Sequence, residues 1–447
     1  MKFTYIRPSL IPAGVAGDSI EPLVFAILSG LTPPDIDRVL YDQRIEVIPF
    51  DEPTDLAVLT IDTFTAKSAY QIAAQYHLRG VPVIAGGIHP TLCPREALRF
   101  VDSVVIGDAE GVWHEVVRDA RGKKLKPVYE KRYPSLDRLQ FDRSIFKGKR
   151  YLPVTLVQFG RGCRFSCEYC SVHALYGSNI RQRPVDAVVE EIRKTGRKPV
   201  IFTDDNLFVD NSATNELLRA LTPLGIKWGC QASLDISANR DLIRLMAQSG
   251  CIAVTIGFES LITGNLKQMG KRLNLNYGSY LEAVRIFRKH GIMVCGAFIF
   301  GYDQDTLDSF KISLDFAIKA KLYTANLNTL VPFPATPLYE RLRREGRLIH
   351  DPWWLHPDFR FGQAPFRPAK MTPEQLEDRC YWVRSEFNKY GSIARRALDL
   401  HANFSSPTKA GVYLKVNLLT RKEISRKRYQ PLGDGSDLTP LFDGDRL

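Results

Sequence analysis

The chain is poor in cysteine, has no long apolar run and lacks an amino-terminal signal sequence. It contains eight cysteines in 447 residues, and five are scattered, which is typical of reduced thiols in the cytoplasm. The longest apolar stretch, near residues 292–300, is far shorter than the roughly 20 residues of a membrane-spanning helix. Arg7 and Pro8 interrupt any apolar segment at the start, which argues against a signal peptide. We therefore expect a cytoplasmic protein. The scattered cysteines are Cys93, Cys230, Cys251, Cys295 and Cys380.

Acidic residues are also in the minority, and the net charge is +12. Residues 341–447 hold 20 lysines and arginines against 13 acidic residues, a local charge of +7. A basic surface can attract nucleic acid or an anionic membrane. An ordinary solvated surface explains the same charge, and we favour that interpretation and expect no nucleic-acid partner.

The first 110 or so residues alternate short apolar strands with helical patterns, as βα units do. Such a series predicts an α/β domain with a doubly wound, flavodoxin-like parallel sheet. Ligands of such sheets bind beyond the carboxyl ends of the strands. The predicted strands are 3–6, 38–41, 56–60, 81–85 and 103–106.

A second alternating series predicts a partial (β/α)6 barrel of the TIM type. Its predicted strands are 154–159, 199–203, 226–231, 252–257, 293–300 and 324–331. The polar, basic residues between the two series predict a linker, and the last hundred residues predict a small, mostly helical domain. The predicted division is 1–125, a linker at 126–150, a barrel at 151–345 and a carboxyl-terminal domain at 346–447.

Three cysteines lie close together with the spacing CxxxCxxC: Cys163, Cys167 and Cys170. Three thiolates on one short loop can hold three irons of a four-iron–four-sulfur cluster, whose usual ligand is cysteine. No fourth cysteine is near, so the fourth iron would be open to a ligand that is not protein. Gly160 and Gly162 let the backbone turn tightly before the first cysteine.

Other uses of these cysteines remain open. A disulfide needs oxidising surroundings, and three clustered cysteines are an odd number for pairing. A structural zinc site usually has four ligands, and His173 would have to be the fourth. Buried cysteines that only fill space rarely cluster in this way.

Polar residues and glycines follow three of the predicted barrel strands, at 203–206, 257–260 and 296–302. The cysteines follow the first strand, so all four segments fall on the face where barrel active sites lie. Each segment alone is explained by helix capping, for which Asp204, Asp205 and Ser260 are suitable. Their position on one face favours a ligand site.

The cysteine spacing, with Tyr169 before the last cysteine, resembles the radical S-adenosylmethionine (SAM) superfamily over about residues 150–340. The resemblance implies that SAM chelates the open iron and is cleaved to a deoxyadenosyl radical. It implies that the cluster is held by Cys163, Cys167 and Cys170. The residues implied to contact SAM are Tyr169, Asp204, Gln231, Glu259, Gly296 and Gly301.

The stretch from Gly86 to Thr91, Gly-Gly-Ile-His-Pro-Thr, resembles the cobalamin-binding domain found in front of many radical SAM enzymes. The Asp-x-His-x-x-Gly motif of other cobalamin domains is absent, so the resemblance implies cobalamin without a histidine ligand from that motif. His89 more simply caps or packs the turn. The residues implied to bind cobalamin are Asp62, Thr63, Gly86, Gly87, His89 and Thr91.

This order of domains resembles the class whose commonest reaction is methylation of an unactivated carbon or phosphorus. The resemblance implies a small-molecule or lipid substrate, an external electron donor such as flavodoxin or ferredoxin, and a monomer. No catalytic acid or base stands out. The alternatives are a radical SAM enzyme for ring contraction, cyclisation or transfer of another part of SAM, a methylthiotransferase, and a cobalamin or iron–sulfur sensor. A methylthiotransferase normally has a second set of three cysteines, which is missing.

The carboxyl-terminal segment has an aromatic-rich loop around 353–366 and an apolar run at 412–419. The aromatic residues either line a substrate pocket or fill core. The apolar run is followed by five basic residues, so it either lies weakly on a membrane surface or packs on the barrel. We favour packing and expect Val412, Leu414, Leu418 and Leu419 to be buried.

Overall fold

The computed structural model describes residues 1–10, 19–196, 199–275, 278–436, 438 and 440–442. Two six-stranded sheets carry the fold, and helices cover them. The strands are β1 (Lys2–Arg7), β2 (Asp37–Asp42), β3 (Leu56–Thr60), β4 (Val83–Gly86), β5 (Ser103–Gly107), β6 (Val128–Lys131), β7 (Thr155–Val157), β8 (Gly160–Arg161), β9 (Arg181–Gln182), β10 (Pro199–Phe202), β11 (Lys227–Ala232), β12 (Cys251–Glu259), β13 (Met293–Phe300) and β14 (Thr324–Thr329).

The helices alternate with the strands as far as β14 and then follow one another. They are α1 (Leu23–Leu31), α2 (Ala66–His77), α3 (Ile88–Leu92), α4 (Pro94–Ala97), α5 (Trp113–Arg121), α6 (Ser171–Tyr176), α7 (Val185–Thr195), α8 (Asn211–Leu221), α9 (Arg240–Gln248), α10 (Thr263–Gln268), α11 (Arg272–Leu275), α12 (Tyr280–Lys289), α13 (Leu307–Lys319), α14 (Pro337–Arg344), α15 (Pro373–Phe387), α16 (Tyr390–Ala397) and α17 (Pro407–Lys427). None of the helices in the described ranges is long and apolar enough to span a membrane.

The amino-terminal sheet has the order β2-β1-β3-β4-β5-β6, and all its strands are parallel. The predicted doubly wound sheet is confirmed. Helices α1 and α5 pack on one face, around Tyr5 and Trp113, and α2 packs on the other, around Leu59 and Tyr70. Parallel strands need this cover on both faces, which explains their almost continuous apolar sequences.

The predicted linker at 126–150 is wrong in its first part, because β6 extends the amino-terminal sheet. β6 pairs with β5, and Tyr129 is fully buried against the helix-covered face. The short helical turn Arg143–Phe146 also packs against α1. The apolar pattern did not predict this strand because its neighbours are charged. An edge strand can dock through one buried side chain and leave its other side chains in solvent.

The second sheet has the order β14-β13-β12-β11-β10-β7, again all parallel. It confirms the six-unit partial barrel. One face is buried under helices and includes Phe202, Trp228 and Phe298. The opposite face, which we call the open face, carries exposed Ile201 and Gln231. The barrel therefore keeps one side of its sheet available for ligands.

The carboxyl-terminal helices pack on the barrel, but through residues that the apolar pattern did not indicate. Helix α17 buries Tyr413 and Asn417, whereas Leu414 and Leu418 are each 42% exposed. The expectation that these leucines pack on the barrel is wrong. Tyr413 donates to the Ile393 carbonyl at 2.6 Å and Asn417 to the Tyr323 carbonyl at 2.8 Å, so polar contacts orient this helix.

The aromatic loop joins the carboxyl-terminal segment to the amino-terminal domain. Trp353, Trp354 and Phe359 are buried in the same hydrophobic cluster as the sheet residue Leu59. They fill core, as one of the two interpretations expected. Phe361 lies at the edge of this cluster and lines a cavity discussed below.

Candidate functional site

The three clustered cysteines lie on a loop between β8 and α6, at the carboxyl end of the barrel strand β7. All three are free thiols, which excludes a disulfide among them in this structure. The Cys170 amide donates to the Cys167 carbonyl at 3.1 Å, and α6 begins immediately after Cys170. The loop is thus compact and presents three sulfur atoms from eight consecutive residues.

Glycine is required before the first cysteine. Gly162 has φ of +93°, and a Cβ there would lie 2.1 Å from the Asn179 carbonyl oxygen. A side chain would therefore clash with backbone that cannot move aside. Gly160 is also close to the opposite chain, with a Cβ position 3.0 Å from the Arg181 carbonyl.

Two neighbouring carboxylates hold the backbone that leads into the cysteine loop. Asp204 accepts hydrogen bonds from the amides of Phe159 at 3.0 Å and Gly160 at 2.5 Å. Asp205 accepts from the Gly162 amide at 3.0 Å. Asp204 is fully buried, and burial raises its pKa to about 7, against the lowering effect of these two amides. The structure gives Asp204 a positioning role, and its contact with SAM stays a prediction.

A buried polar group adjoins the cysteines. Lys271 Nζ lies 3.1 Å from Glu259 Oε1, and the partly buried Tyr169 interacts with the same carboxylate. Burial raises the pKa of Cys167 to about 11, and the nearby Lys271 ammonium works against that rise. Lys271 also interacts with Cys163. A fixed cation beside sulfur ligands favours their thiolate form.

This donor set fits an iron–sulfur cluster better than a single metal ion. Within the described ranges, one group of three potential ligands lies within 4.8 Å of one another, and it is His89, Cys93 and Glu96. The clustered cysteines are therefore spaced more widely than ligands of one ion, as a four-iron cluster needs. Their spacing also disfavours the zinc alternative with His173.

The other residues expected to bind SAM lie in different parts of the barrel. Gln231 is exposed on the open face of the barrel, and Glu259 ends β12 with φ of +62° beside the cysteines. Gly296 lies on the helix-covered face, where a Cβ would meet Leu322 at 2.6 Å and Phe298 at 2.8 Å. Close packing explains this glycine, and its expected contact with adenine stays a prediction.

Gly301 turns the chain at the end of β13. It has φ of +115°, and its amide donates to the Asp305 carboxylate at 2.9 Å. A Cβ at Gly301 would meet Leu376 at 2.9 Å and Phe366 at 3.0 Å. The turn explains the glycine, and a role in SAM binding stays a prediction.

A cavity of about 400 Å³ lies between the carboxyl edge of the amino-terminal sheet and the segments on either side of the cysteine loop. We call it the sheet-edge cavity. Gly86, Gly87 and Thr91 line it from the amino-terminal sheet, and Arg161 and Tyr176 line it from the barrel. Its floor is apolar and includes Val58, Ile84, Val105 and Trp113. This volume is within the usual range of ligand pockets.

The two glycines at this edge differ in function. Gly87 has φ of +105°, and a Cβ would lie 2.8 Å from the Ile61 carbonyl oxygen, so the backbone conformation requires glycine. Gly86 has free space in the cavity, since its Cβ position is 3.6 Å from Val105. Thr91 donates to the Gly87 carbonyl at 2.8 Å and accepts from the Gly107 amide at 3.0 Å. Gly86 is therefore the point of closest approach for a flat ligand.

The remaining residues expected to bind cobalamin do not line this cavity. His89 is fully buried, with Nε2 2.9 Å from Glu96 and Nδ1 3.3 Å from Thr63. Both ring nitrogens are engaged within the protein, which supports the packing role expected for His89, and its contact with cobalamin stays a prediction. Asp62 accepts from the Thr65 amide and, with Thr63, lines a different cavity.

No pattern in the sequence indicated the ion pairs that join the two sheets here. Arg161, two residues before the first cysteine, pairs with Glu110 at 2.5 Å and with Asp108 at 3.0 Å. Arg181 pairs with the same Asp108 at 2.7 Å. These groups are largely buried, and buried paired charges fix orientation more than they add stability. They set the cysteine loop against the amino-terminal sheet.

Comparison with known proteins gives a consistent result. The family model for the radical SAM superfamily matches residues 157–317. Bacteriochlorophyllide d C-12(1)-methyltransferase of Chlorobaculum tepidum is 30% identical over 389 residues, covering 84% of this chain and 84% of the relative. The hopanoid C-2 methylase of Rhodopseudomonas palustris is 28% identical over 298 residues, covering 63% of this chain and 56% of the relative.

Two solved structures share the fold. The radical SAM methyltransferase TsrM from Kitasatospora setae, with cobalamin and a [4Fe-4S] cluster bound, has a TM-score of 0.61 at 15% identity and covers 77% of this chain and 75% of its own. The cobalamin-dependent radical enzyme OxsB, with aqua-cobalamin and SAM bound, has a TM-score of 0.60 at 15% identity and covers 95% and 71%. At these identities the likeness concerns the fold alone.

Proposed function

Because the chain belongs to the radical SAM superfamily, in the class with a cobalamin-binding-type domain before the barrel, we propose that it methylates an unactivated carbon or phosphorus. The observation that carries this proposal is the sheet-edge cavity, which has Gly86 on one side and the flank of the cysteine loop on the other. A methyl donor and a radical source must both reach one substrate, and this arrangement brings their two expected positions together.

In the proposed assembly, Cys163, Cys167 and Cys170 hold the cluster, and Gly86 faces cobalamin. When bound, the cluster, SAM and cobalamin supply the electron transfer, the radical and the methyl group. The chain itself orients these groups. Asp204 and Asp205 fix the cysteine loop, and the apolar floor of the cavity limits access of water to the reacting centre.

The substrate class is proposed from relatives of this chain. Two of them are bacteriochlorophyllide methyltransferases and one is a hopanoid methylase, so a tetrapyrrole or a lipid is the proposed substrate. We further propose an external flavodoxin- or ferredoxin-type electron donor, a monomeric state and a cytoplasmic location.

The cysteine assignment is tested by anaerobic reconstitution. The wild type should bind about four irons and four sulfides per chain and should form 5′-deoxyadenosine from SAM and a reductant. Cys167→Ala should lose the brown chromophore and SAM cleavage together. Cys230→Ala is the matched control, because Cys230 is a buried cysteine on the helix-covered side of β11. Equal iron content and cleavage in Cys167→Ala and the wild type would refute the assignment.

Methyl transfer is tested with SAM that carries a deuterated methyl group. The wild type, loaded with cluster and hydroxocobalamin, should deliver the label to a tetrapyrrole or hopanoid acceptor, as detected by mass spectrometry. Deoxyadenosine without labelled product for any acceptor would favour the non-methylating radical SAM alternative. No deoxyadenosine at all would favour a sensor.

A further inference from the structure

A second cavity, of about 500 Å³, lies beside the sheet-edge cavity and contains a concentration of positive charge. We call it the cationic cavity. Ile88, which follows Gly87, and Ser171, which follows Cys170, both line it. It therefore adjoins the two expected cofactor positions. Its basic lining residues are Arg7, Arg44, Arg426 and Lys427.

Three of these four cations already have acidic partners. Arg44 pairs with Asp42 at 2.6 Å. Arg426 and Lys427 share Glu423, at 3.4 and 2.7 Å. Asp42 therefore balances the charge of Arg44, and Glu423 balances one of the two charges of Arg426 and Lys427. Asp62 also lines the cavity, but its side chain accepts the Thr65 amide.

Arg7 is different, because its guanidinium has no ion-pair partner within the ranges that the structure describes. Its Nε is buried without a hydrogen bond, although the side chain as a whole is only partly buried. Burial and Arg44 lower the pKa of Arg7, and the carboxylates of Asp62 and Asp42 raise it without forming an ion pair with it. A charge that is partly removed from water without an ion-pair partner is unfavourable. Such a group is expected where a ligand supplies the missing charge, and Arg7 faces a cavity large enough for one.

Part of the lining is aromatic. Phe64, Phe333 and Phe361 border the same cavity, and Phe64 contacts the other two rings at 6.0 and 5.4 Å between centroids. Aromatic rings that line the same cavity as a guanidinium without an ion-pair partner among the described residues suit a ligand with an apolar body and one anionic group. Arginine binds carboxylate and phosphate groups through two parallel hydrogen bonds.

We propose that the cationic cavity binds the substrate and that this substrate is an amphiphilic acid, whose carboxylate or phosphate pairs with Arg7. This inference rests on the proposed function, since it assumes that the space beside the two cofactor positions is the substrate site. Cobalamin also carries a phosphate, so the test must separate the two sources of the anion.

The test uses two probes that share an aromatic skeleton and differ in charge: the anion 8-anilinonaphthalene-1-sulfonate and the neutral N-phenyl-1-naphthylamine. Equilibrium dialysis measures the binding of each to the full chain carrying its cluster, with and without hydroxocobalamin. The wild type should bind the anion more tightly than the neutral probe, with or without hydroxocobalamin. Arg7→Met should weaken anion binding at least about tenfold and leave neutral-probe binding within about twofold.

Two further variants keep the result interpretable. Arg395→Met removes an exposed arginine from α16 and should bind both probes as the wild type does. Arg7→Lys keeps the charge and should retain most of the anion binding. Because Arg7 lacks a partner, Arg7→Met should melt at the same temperature as the wild type or higher. A purely structural role for Arg7 predicts a lower melting temperature.

Equal anion binding by the wild type and Arg7→Met would overturn the proposal. Loss of anion binding on loading with hydroxocobalamin would also overturn it, because the cavity would then belong to cobalamin. Neither result depends on turnover. A failure of methyl transfer with intact, Arg7-dependent anion binding would therefore count against the proposed function alone.

Discussion

The buried Asp204 carboxylate holds the backbone before the cysteine loop, and its titration makes the stability of the chain depend on pH. Its pKa in the folded chain is raised to about 7, whereas an unfolded aspartate titrates near about 4. Between these values the folded state keeps a proton that the unfolded state has lost, so the free energy of unfolding falls as pH rises. It should fall by on the order of 2 kcal/mol from about pH 5 to pH 7, and then level off.

Asp204→Asn should remove this part of the pH dependence, because an amide does not titrate in this range. Urea unfolding of the wild type and the variant between pH 5 and pH 8 measures the difference, which cancels the other titrating groups. The variant keeps one acceptor oxygen for the two amides, so it should be less stable by about 1 kcal/mol at pH 7.5. Parallel stability curves for the two proteins would contradict the raised pKa.

At the scale of elements, α16 and α17 are attached to the barrel through one buried arginine. Arg396 is fully buried and donates to the carbonyls of Leu322 at 3.0 Å, Tyr323 at 2.9 Å and Phe387 at 2.9 Å. It also donates to Asn417 on α17 at 3.0 Å. One guanidinium thus satisfies acceptors from three elements, which no apolar side chain can do.

Arg396→Met should destabilise the chain by about 3–5 kcal/mol, because it leaves buried carbonyls without donors. The neighbouring Arg395 is exposed on the same helix, so Arg395→Met should change stability by no more than about 0.5 kcal/mol. Denaturant unfolding of both variants measures the contrast. Similar losses for the two arginines would show that helix α16 contributes through charge or propensity and not through this buried network.

At the scale of the whole molecule, the sheet-edge cavity exists because two sheets meet at their carboxyl edges. Gly86 contributes from β4, and Arg161 contributes from the barrel side. Gly86→Phe should fill this cavity without backbone strain, since Gly86 does not have positive φ. It should weaken binding of hydroxocobalamin by at least about tenfold, measured by equilibrium dialysis.

Gly86→Ala is the matched control. Its methyl group would make ordinary contact with Val105 at 3.6 Å, so it should bind hydroxocobalamin within about threefold of the wild type. A substitution at Gly87 would be less informative, because a Cβ there meets the Ile61 backbone. Unchanged binding by Gly86→Phe would place cobalamin elsewhere or argue against its binding.

Periodicity was sufficient for most of the fold. β13 was predicted at 293–300 and lies at Met293–Phe300, and the ends of the other barrel strands differ from the prediction by no more than two residues. Apolar strands that alternate with helices can be recognised in the sequence, because every second residue of a strand must meet a helix layer. β6 escaped prediction, since its charged ends resemble a linker and its pairing with β5 is a contact between distant elements.

The sequence by itself determined that three thiols share one loop, because all three lie within eight consecutive residues. No folding is needed to bring them together. Only the tertiary structure decided which other residues lie near these thiols. Gly296 went to the helix-covered face, and His89 turned into the core toward Glu96. The cationic cavity brings Arg7 of β1 together with Lys427 of α17. Such juxtapositions depend on how faces pack and which charges find partners, and local spacing carries no information about either.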